Sequence, residues 1–208
     1  MTGNGQTDCG KAQSAKEKKD AIRRRTLAWR RSLGAGDAGK LSAGLCSRLT
    51  AFLEEAWAKE IPILAYAAVR GEADLSACCR RLLEDGKKLY FPRVRGDEMD
   101  FVRVRDLKED LMPGAFGVPE PVGEEIFSEG RALALIPGVV FDAGCARAGY
   151  GKGYYDRYLA ARRDIVKIGI CYQGQICESL PADPWDIYMD AIVTEQSVYQ
   201  MERRALWN

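Results

Sequence analysis

Apolar and polar residues alternate along this chain in patterns that predict a succession of helices and strands. The patterns predict α-helices over residues 16–33, 38–58, 74–86 and 152–161. They predict β-strands over residues 61–69, 88–91, 99–104, 132–136, 166–171 and 190–193. This succession predicts an α/β fold with three layers, α/β/α, in which helices cover both faces of a mainly parallel (mixed) sheet. The strand over residues 99–104 alternates apolar with polar side chains, so we expect it near an edge of the sheet.

Residues 1–15 are small and polar, and little in them would offset the entropy of ordering. We therefore expect a flexible tail ahead of a single domain over residues 16–208, acting as a monomer. No apolar run approaches the roughly 20 residues of a membrane span, and the first residues lack the apolar core of a secretory signal. These features predict a cytoplasmic protein with no membrane partner.

The residue types present limit the chemistry that this chain can perform. The 31 basic and 30 acidic side chains nearly cancel, so no field of the whole molecule would hold it on nucleic acid. The absence of histidine excludes histidine bases, histidine-containing triads and histidine-liganded zinc or iron. The seven cysteines lack metal-binding spacing and are expected to be buried free thiols. Chemistry must rest on carboxylates, lysine, arginine, tyrosine, backbone amides and a hard cation bound through oxygen.

Glycines occupy alternate positions within RAGYGKGYYDR, residues 147–157, which follow a predicted strand. Such glycines let the backbone approach a phosphate, and Arg147 and Lys152 add positive charge near the start of the next helix. Asp156 follows Lys152 by one helical turn, so both lie on one face if the helix starts at the glycines. This arrangement suits a magnesium nucleotide. The spacing matches neither the P-loop nor the Rossmann fingerprint, so a structural turn with a solvated Lys–Asp pair stays open as the alternative.

The same segment closely resembles the signature of the 5-formyltetrahydrofolate cyclo-ligase family. Similarity continues in YAAVRGEAD, KKLYFPRV, MDFVRV, PGAFGVPEP and PADPWDIYMDAIVTE, and the motifs together cover residues 16–195. The resemblance implies an architecture similar to that of sugar-phosphate isomerases and CoA transferases. It also implies a ligase that uses ATP to phosphorylate the formyl oxygen of 5-formyltetrahydrofolate, with or without a polyglutamate tail. Attack by the folate nitrogen at position 10 then gives 5,10-methenyltetrahydrofolate, ADP and phosphate.

The resemblance further implies roles for individual residues, with Mg²⁺ as the metal. ATP contacts are expected from Lys19, Arg23, Arg147, Gly149, Tyr150, Gly151, Lys152, Gly153, Tyr154 and Tyr155. Substrate contacts are expected from Ala67, Glu72 and Tyr154, catalytic roles from Lys152, Arg147 and Tyr154, and magnesium ligation from Asp156 and Asp186.

Three nearby positions have open or unusual roles. Asp190 opens the last predicted strand, where a structural role is as well supported as a role in the site. Trp185 stands where many family members have histidine, and packing is favoured over stacking on a ligand ring. Cys145 is interpreted as a small neutral filler of the loop, because nothing in the sequence positions a base for it.

Three other functions stay open. The same architecture supports isomerase and CoA-transferase reactions that need no ATP, and release of ADP on adding formylfolate would separate these from a ligase. A regulator that binds nucleotide without turnover is suggested only by Trp185. A nucleic-acid binder would use the basic first helix and show steep salt dependence, but no recognisable binding module accompanies that helix.

Overall fold

The computed structural model describes residues 14–57, 61–114, 117–128, 130–181, 183 and 185–201. Residues 1–13 of the predicted tail lie outside this part, as do residues 202–208 of the predicted domain. The helices are α1 (Ala15–Ser32), α2 (Ala35–Trp57), α3 (Ser76–Glu84) and α4 (Tyr154–Ala160), and a 3₁₀ helix spans Gln173–Gln175. The strands are β1 (Ile63–Leu64), β2 (Leu89–Arg95), β3 (Glu98–Val104), β4 (Leu111–Pro113), β5 (Pro119–Pro121), β6 (Ala132–Pro137), β7 (Val140–Asp142), β8 (Arg147–Ala148), β9 (Ile165–Ile170), β10 (Ile176–Cys177), β11 (Ala191–Val193) and β12 (Val198–Gln200).

A seven-stranded sheet forms the middle layer, in the order β12-β11-β9-β6-β1-β2-β3. The strands from β11 to β2 pair in parallel, and β12 and β3 pair antiparallel at the two edges. The mainly parallel sheet and the edge position of β3 are therefore confirmed.

Side chains alternate between the two faces of this sheet, and each face packs on helices. Leu135 of β6 belongs to a buried cluster with Leu49 of α2 and Leu82 of α3. Its neighbour Ile136 belongs to a second cluster, which contains Tyr158 of α4. Because strand side chains point alternately to opposite faces, both faces of β6 are buried. The architecture is α/β/α, as predicted.

The first helix, α1, buries a polar face. Its most buried residues are Lys19, Thr26 and Arg30, whereas the predicted apolar contacts Ile22 and Trp29 are half-buried. The three buried residues share one side of the helix, since residues three, four and seven apart are neighbours on its surface. Thus α1 directs cationic side chains toward the rest of the molecule.

The structure differs from the predicted elements in its short strands. The predicted strand over residues 61–69 pairs only at Ile63–Leu64, because the chain then leaves the sheet and turns at Arg70 and Gly71, with φ of 52° and 74°. Two small sheets, β10-β7-β8 and β4-β5, are additional. Their strands of two or three residues are too short for a recognisable period. None of the described helices is long and apolar enough to cross a membrane.

Cysteines in the described part of the chain are free thiols, and all but the half-buried Cys177 are buried. Burial raises the pKa of Cys78 and of Cys145 to about 11. A thiol with such a pKa is almost wholly protonated at neutral pH, which makes it a poor nucleophile. This agrees with the interpretation of Cys145 as a neutral filler.

Candidate active site

A cleft of about 910 Å³ is lined by residues that follow β1 and β6, together with parts of α1 and α4. Loops after the carboxyl ends of parallel strands meet at one edge of a sheet, which is where α/β folds bind ligands. The predicted site residues line this cleft: Lys19, Arg23, Ala67, Glu72, Arg147, Gly149, Tyr150, Gly151, Lys152, Gly153, Tyr154, Tyr155, Asp156 and Asp186. The fold thus brings together residues as far apart as 167 positions in sequence.

Left-handed backbone conformations shape the glycine-rich loop. Gly151 and Gly153 have φ of 91° and 70°, and Gly153 is the N-cap of α4. Because a right-handed helix cannot extend backward through Gly153, α4 begins at Tyr154. Lys152 therefore lies in the loop, exposed in the wall of the cleft. The predicted helical face shared by Lys152 and Asp156 is wrong for this reason.

Arg147 is a buried cation in β8, and its side chain is 4% exposed. Its Nη2 donates to both carboxylate oxygens of Asp156, at 3.0 and 3.1 Å, and its Nη1 donates to the Pro137 carbonyl oxygen at 3.2 Å. Its guanidinium carbon lies 5.5 Å from the centroid of the Tyr155 ring. These contacts hold the guanidinium of Arg147 in one position in the wall of the cleft.

Two cations of α1 bind different parts of the cleft. Arg23 Nε donates to the Gly149 carbonyl oxygen at 2.9 Å. Lys19, with a side chain 6% exposed, donates from Nζ to Asp183 Oδ2 at 3.1 Å and also to Asp186 Oδ2. The helix therefore holds both the glycine-rich loop and the acidic segment at Asp186.

Each predicted magnesium ligand is paired with a cation of the cleft. Arg147 binds Asp156, and Lys19 binds Asp186. Within the described residues, no group of three or more acidic or cysteine side chains could hold a metal ion. Magnesium is usually held by one or two carboxylates and completes its shell with water and phosphate oxygens. The two aspartates fit an ion that arrives with a nucleotide better than a resident metal.

Glu72 is a buried carboxylate in the wall of the cleft. The Val69 N–H donates to its Oε2 at 3.1 Å. Burial raises the pKa of Glu72, and the Val69 N–H, the charge of Arg30 and a hydrogen bond from the Tyr150 hydroxyl oppose that rise. A partly desolvated carboxylate held in this way is suited to accept N–H groups of a ligand.

Tyr154 and Ala67 complete the predicted substrate contacts. The Tyr154 hydroxyl donates to the Gly96 carbonyl oxygen at 3.1 Å, in the turn between β2 and β3. Arg157 lies over the Tyr154 ring, 5.1 Å from its centroid, and donates to the Asp97 carbonyl oxygen at 2.9 Å. These hydrogen bonds join the turn between β2 and β3 to α4. Ala67 is half-buried and also lines the cleft.

Two positions with open roles are now located. Trp185 lines the cleft and is 72% exposed, so the expected packing is wrong and its ring faces the space that a ligand would enter. Asp190 lies outside the lining of the cleft. Its Oδ2 accepts hydrogen bonds from the Lys167 Nζ at 2.9 Å and the Lys167 N–H at 2.8 Å. These contacts give Asp190 a structural role.

Several cleft residues escaped the prediction from sequence. Arg70, Arg157 and Asp183 line the cleft, and Arg30 contacts the Tyr150 hydroxyl. The sequence could have indicated Arg30, because helical spacing places it on the same side of α1 as Lys19, about three turns further along. Arg70 and Asp183 lie in irregular segments, where spacing carries no such signal.

Comparisons place the chain among known proteins. The model described as the 5-formyltetrahydrofolate cyclo-ligase family matches residues 15–195. A probable 5-formyltetrahydrofolate cyclo-ligase of Schizosaccharomyces pombe is 33% identical over an alignment of 132 residues, which covers 55% of this chain and 65% of that protein. The NMR structure of Aquifex aeolicus 5,10-methenyltetrahydrofolate synthetase has a TM-score of 0.78 at 34% identity, covering 89% of this chain and 94% of that chain. The 5,10-methenyltetrahydrofolate synthetase structure from Mycoplasma pneumoniae has a TM-score of 0.68 at 30% identity, covering 85% and 98%.

Proposed function

This chain belongs to the 5-formyltetrahydrofolate cyclo-ligase family, and from that membership and the cleft we propose that it is an enzyme converting 5-formyltetrahydrofolate into 5,10-methenyltetrahydrofolate with ATP. The observation that carries the proposal is that a glycine-rich loop, cations and a buried carboxylate line one cleft together. Such a cleft can hold a triphosphate and a second, nitrogen-rich ligand side by side.

In the proposed reaction the formyl oxygen attacks the γ-phosphorus of ATP, and the bond to the β-phosphate oxygen breaks to release ADP. The folate nitrogen at position 10 then attacks the formyl carbon, and the carbon–oxygen bond breaks to release phosphate. The proton on that nitrogen leaves in the same step, and a phosphate oxygen can accept it. Phosphoryl transfer of this kind asks the protein mainly for positioning and for neutralising charge, so it needs no histidine.

Different residues of the cleft bind the phosphates, the folate ring and the magnesium ion in the proposed reaction. Arg147 and Lys152 neutralise charge at the transferred phosphoryl group, while Lys19 and Arg23 approach the phosphates from α1. The backbone N–H groups of Gly149–Gly153 contact phosphate oxygens, and Glu72 accepts N–H groups of the folate ring. Asp156 and Asp186 would hold a magnesium ion, which supplies further neutralisation of phosphate charge.

We expect the enzyme to act in the cytoplasm as a monomer, on folate with or without a polyglutamate tail. The nucleic-acid alternative loses two cations of the first helix, because Lys19 and Arg23 line the cleft. Lys16, Lys18, Arg24 and Arg25 of α1 are exposed, so retention on DNA or RNA that falls steeply with salt would still favour this alternative.

The deciding experiment mixes the protein with ATP, Mg²⁺ and 5-formyltetrahydrofolate and omits each component in turn. We expect the absorbance of methenyltetrahydrofolate to appear with stoichiometric ADP only in the complete mixture. Product without ADP would favour the ATP-independent reactions of this architecture. Tight ATP binding without product would favour a nucleotide-binding regulator, and either result would overturn the proposal.

A further inference from the structure

Trp185 is 72% exposed, the highest value among the large hydrophobic residues that the structure describes. A single exposed apolar residue on an outer surface needs no explanation. Trp185, however, lines the cleft, next to Asp186 and close to the cation of Lys19. Its indole is a broad flat ring, and in this position one of its faces is open to a ligand.

A short turn holds the backbone on either side of Trp185. The Asp186 N–H donates to the Asp183 carbonyl oxygen at 3.0 Å, and the Asp183 N–H donates to Asp186 Oδ2 at 2.7 Å. Lys19 Nζ donates to Oδ2 of both aspartates, which joins the turn to α1. Because the turn is closed on both sides of Trp185, the indole is presented to the cleft and does not pack on the sheet.

Two residues of α1 mark opposite ends of the cleft. Lys19 binds the turn that carries Trp185. Arg30 packs on the turn that carries Glu72, since a Cβ atom added at Gly71 would lie 3.5 Å from Arg30 Cγ. These two cations are eleven positions apart in the helix, which is about 16 Å along its axis. Trp185 and Glu72 therefore lie toward opposite ends of the cleft.

The glycine-rich loop lies between these two ends. Arg23, one helical turn after Lys19, donates from Nε to the Gly149 carbonyl oxygen at 2.9 Å. In the proposed reaction the phosphates lie on this loop, and the γ-phosphate faces the folate held at Glu72. The adenosine of ATP extends from the opposite end of the triphosphate. Its base then reaches the end of the cleft that Trp185 lines.

We propose that Trp185 binds the adenine of ATP by stacking its indole on the base. This rests on the proposed function. Stacking buries a flat face of each ring and adds the attraction between two aromatic systems. Such a contact between a base and an aromatic side chain typically strengthens binding by about 5- to 150-fold. Because every base has a flat face, the contact anchors the nucleotide without reading the edge of the base.

The test compares ATP with tripolyphosphate, which has three phosphates but no base, by calorimetry with Mg²⁺. In Trp185→Ala we expect ATP to bind about 5- to 150-fold more weakly. Tripolyphosphate should bind within about twofold of the wild type, and the melting temperature should not change, because the residue is exposed. The KM for ATP should rise with little change in kcat, since the base is held equally in the ground state and the transition state.

Two further variants separate stacking from a role in the shape of the turn. Trp185→Phe keeps an aromatic ring and should keep most of the affinity for ATP. Tyr188→Ala is the control, because it removes an exposed ring outside the cleft lining and should leave both affinities unchanged. The chain has four tryptophans, and ATP should quench part of their fluorescence in the wild type but not in Trp185→Phe. Tripolyphosphate should not quench it in either protein.

Two results would overturn the proposal while turnover by the wild type still supports the ligase. Equal weakening of ATP and tripolyphosphate in Trp185→Ala would show that the residue shapes the phosphate site. Weaker binding of 5-formyltetrahydrofolate with unchanged binding of ATP would show that the indole contacts the folate instead. If the wild type shows no turnover and binds neither ATP nor tripolyphosphate, the proposed function is rejected, and the adenine contact with it.

Discussion

Lys152 differs from the other cations of the cleft, because Arg147 and Lys19 are buried in ion pairs whereas Lys152 is exposed on the loop. A preorganised charge aimed at a phosphoryl group stabilises the charge that develops in the transition state. Removing one such donor typically lowers turnover about 100- to 1000-fold. We expect a loss of this size in Lys152→Ala, measured as kcat for methenyltetrahydrofolate formation.

The matched control is Lys88→Ala, which removes an exposed lysine that does not line the cleft. It should leave kcat within about twofold of the wild type, since surface substitutions away from a site have small effects. Near wild-type turnover in Lys152→Ala would remove this lysine from the chemistry.

Glu72 predicts a pH dependence of folate binding. The charged and titratable groups around it are Arg30, Arg70, Tyr66, Tyr150 and Tyr155. Burial raises its pKa above the ordinary value, so the carboxylate becomes protonated while the pH is still above that value. We expect the KM for folate to rise as the pH falls through the raised pKa, because a protonated Glu72 accepts fewer N–H groups.

The same shift gives the sign of the effect on stability. Between the ordinary and the raised pKa, the folded protein holds a proton that the unfolded chain has released, so this group's contribution to stability falls as the pH rises through that window. Glu72→Gln should raise the KM for folate and remove its dependence on pH in this range. A variant that keeps the wild-type pH profile would show that another group controls it.

Asp156 predicts how the enzyme responds to magnesium. Asp156→Asn keeps an oxygen that can accept from Arg147 but removes the charge that matches a divalent cation. We expect the tightening of ATP binding by Mg²⁺, measured by calorimetry, to weaken by about 10- to 100-fold, as is typical when a metal site is disturbed. ATP binding without metal should not weaken. Asp164→Asn, at an exposed position, is the control, and an unchanged magnesium titration in Asp156→Asn would exclude the role.

At the scale of elements, a capping box begins α1, the helix that carries Lys19 and Arg23 to the cleft. The Glu17 N–H donates to Ser14 Oγ at 3.2 Å, and the Ser14 N–H donates to Glu17 Oε2 at 2.9 Å, which forms a capping box. Removing such a cap typically costs about 1 kcal/mol. We expect Ser14→Ala to lower the free energy of unfolding by about that amount and to raise the KM for ATP, because Lys19 follows within two turns.

Urea denaturation and steady-state kinetics measure these two effects. Ser32→Ala, at the other end of α1, removes a hydroxyl that donates to the Trp29 carbonyl oxygen at 2.7 Å. It should change stability by less than about 0.5 kcal/mol and leave the KM for ATP unchanged. Equal effects from both serines would show that the cap does not control the cleft.

The sequence predicts best the helices and strands that are long enough for their apolar residues to repeat with a helical or strand period. Helices α1 and α2 and strands β6 and β9 have this length, and the structure places them where the pattern does. The start of α4 is later than predicted because Gly153 adopts a left-handed conformation, which the sequence does not distinguish from a helical glycine. The strand β8, which carries Arg147, has only two residues and gives no periodic signal.

At the scale of the whole molecule, the alternation of elements predicts the sheet, and the sheet brings the loops after its strands to one edge. It does not predict which side chains meet there. Lys19 and Asp186 are separated by 167 positions, and nothing in either local sequence indicates that they pair. Trp185 shows the same limit, because its exposure depends on the position of the cleft and not on its own neighbours.

Asp190 lies outside the cleft, so we expect it to affect the stability of the fold and not the reaction. Its carboxylate and the ammonium of Lys167 form an ion pair between β9 and the start of β11, and both side chains are almost wholly buried. Removing one partner leaves a buried charge without compensation, which typically costs about 3 to 5 kcal/mol. We therefore expect Asp190→Asn to lower the free energy of unfolding by roughly this amount and to leave kcat per folded molecule unchanged.

The double variant Asp190→Asn with Lys167→Met distinguishes the cost of leaving a buried charge unpaired from the cost of changed packing. It removes both charges while keeping similar volumes, and buried ion pairs replaced in this way often lose little stability. We expect it to be more stable than Asp190→Asn alone, as measured by urea denaturation. The opposite outcome is that Asp190→Asn keeps the stability of the wild type and loses turnover. That result would show that Asp190 acts in the active site and that the sheet does not depend on the Lys167–Asp190 ion pair.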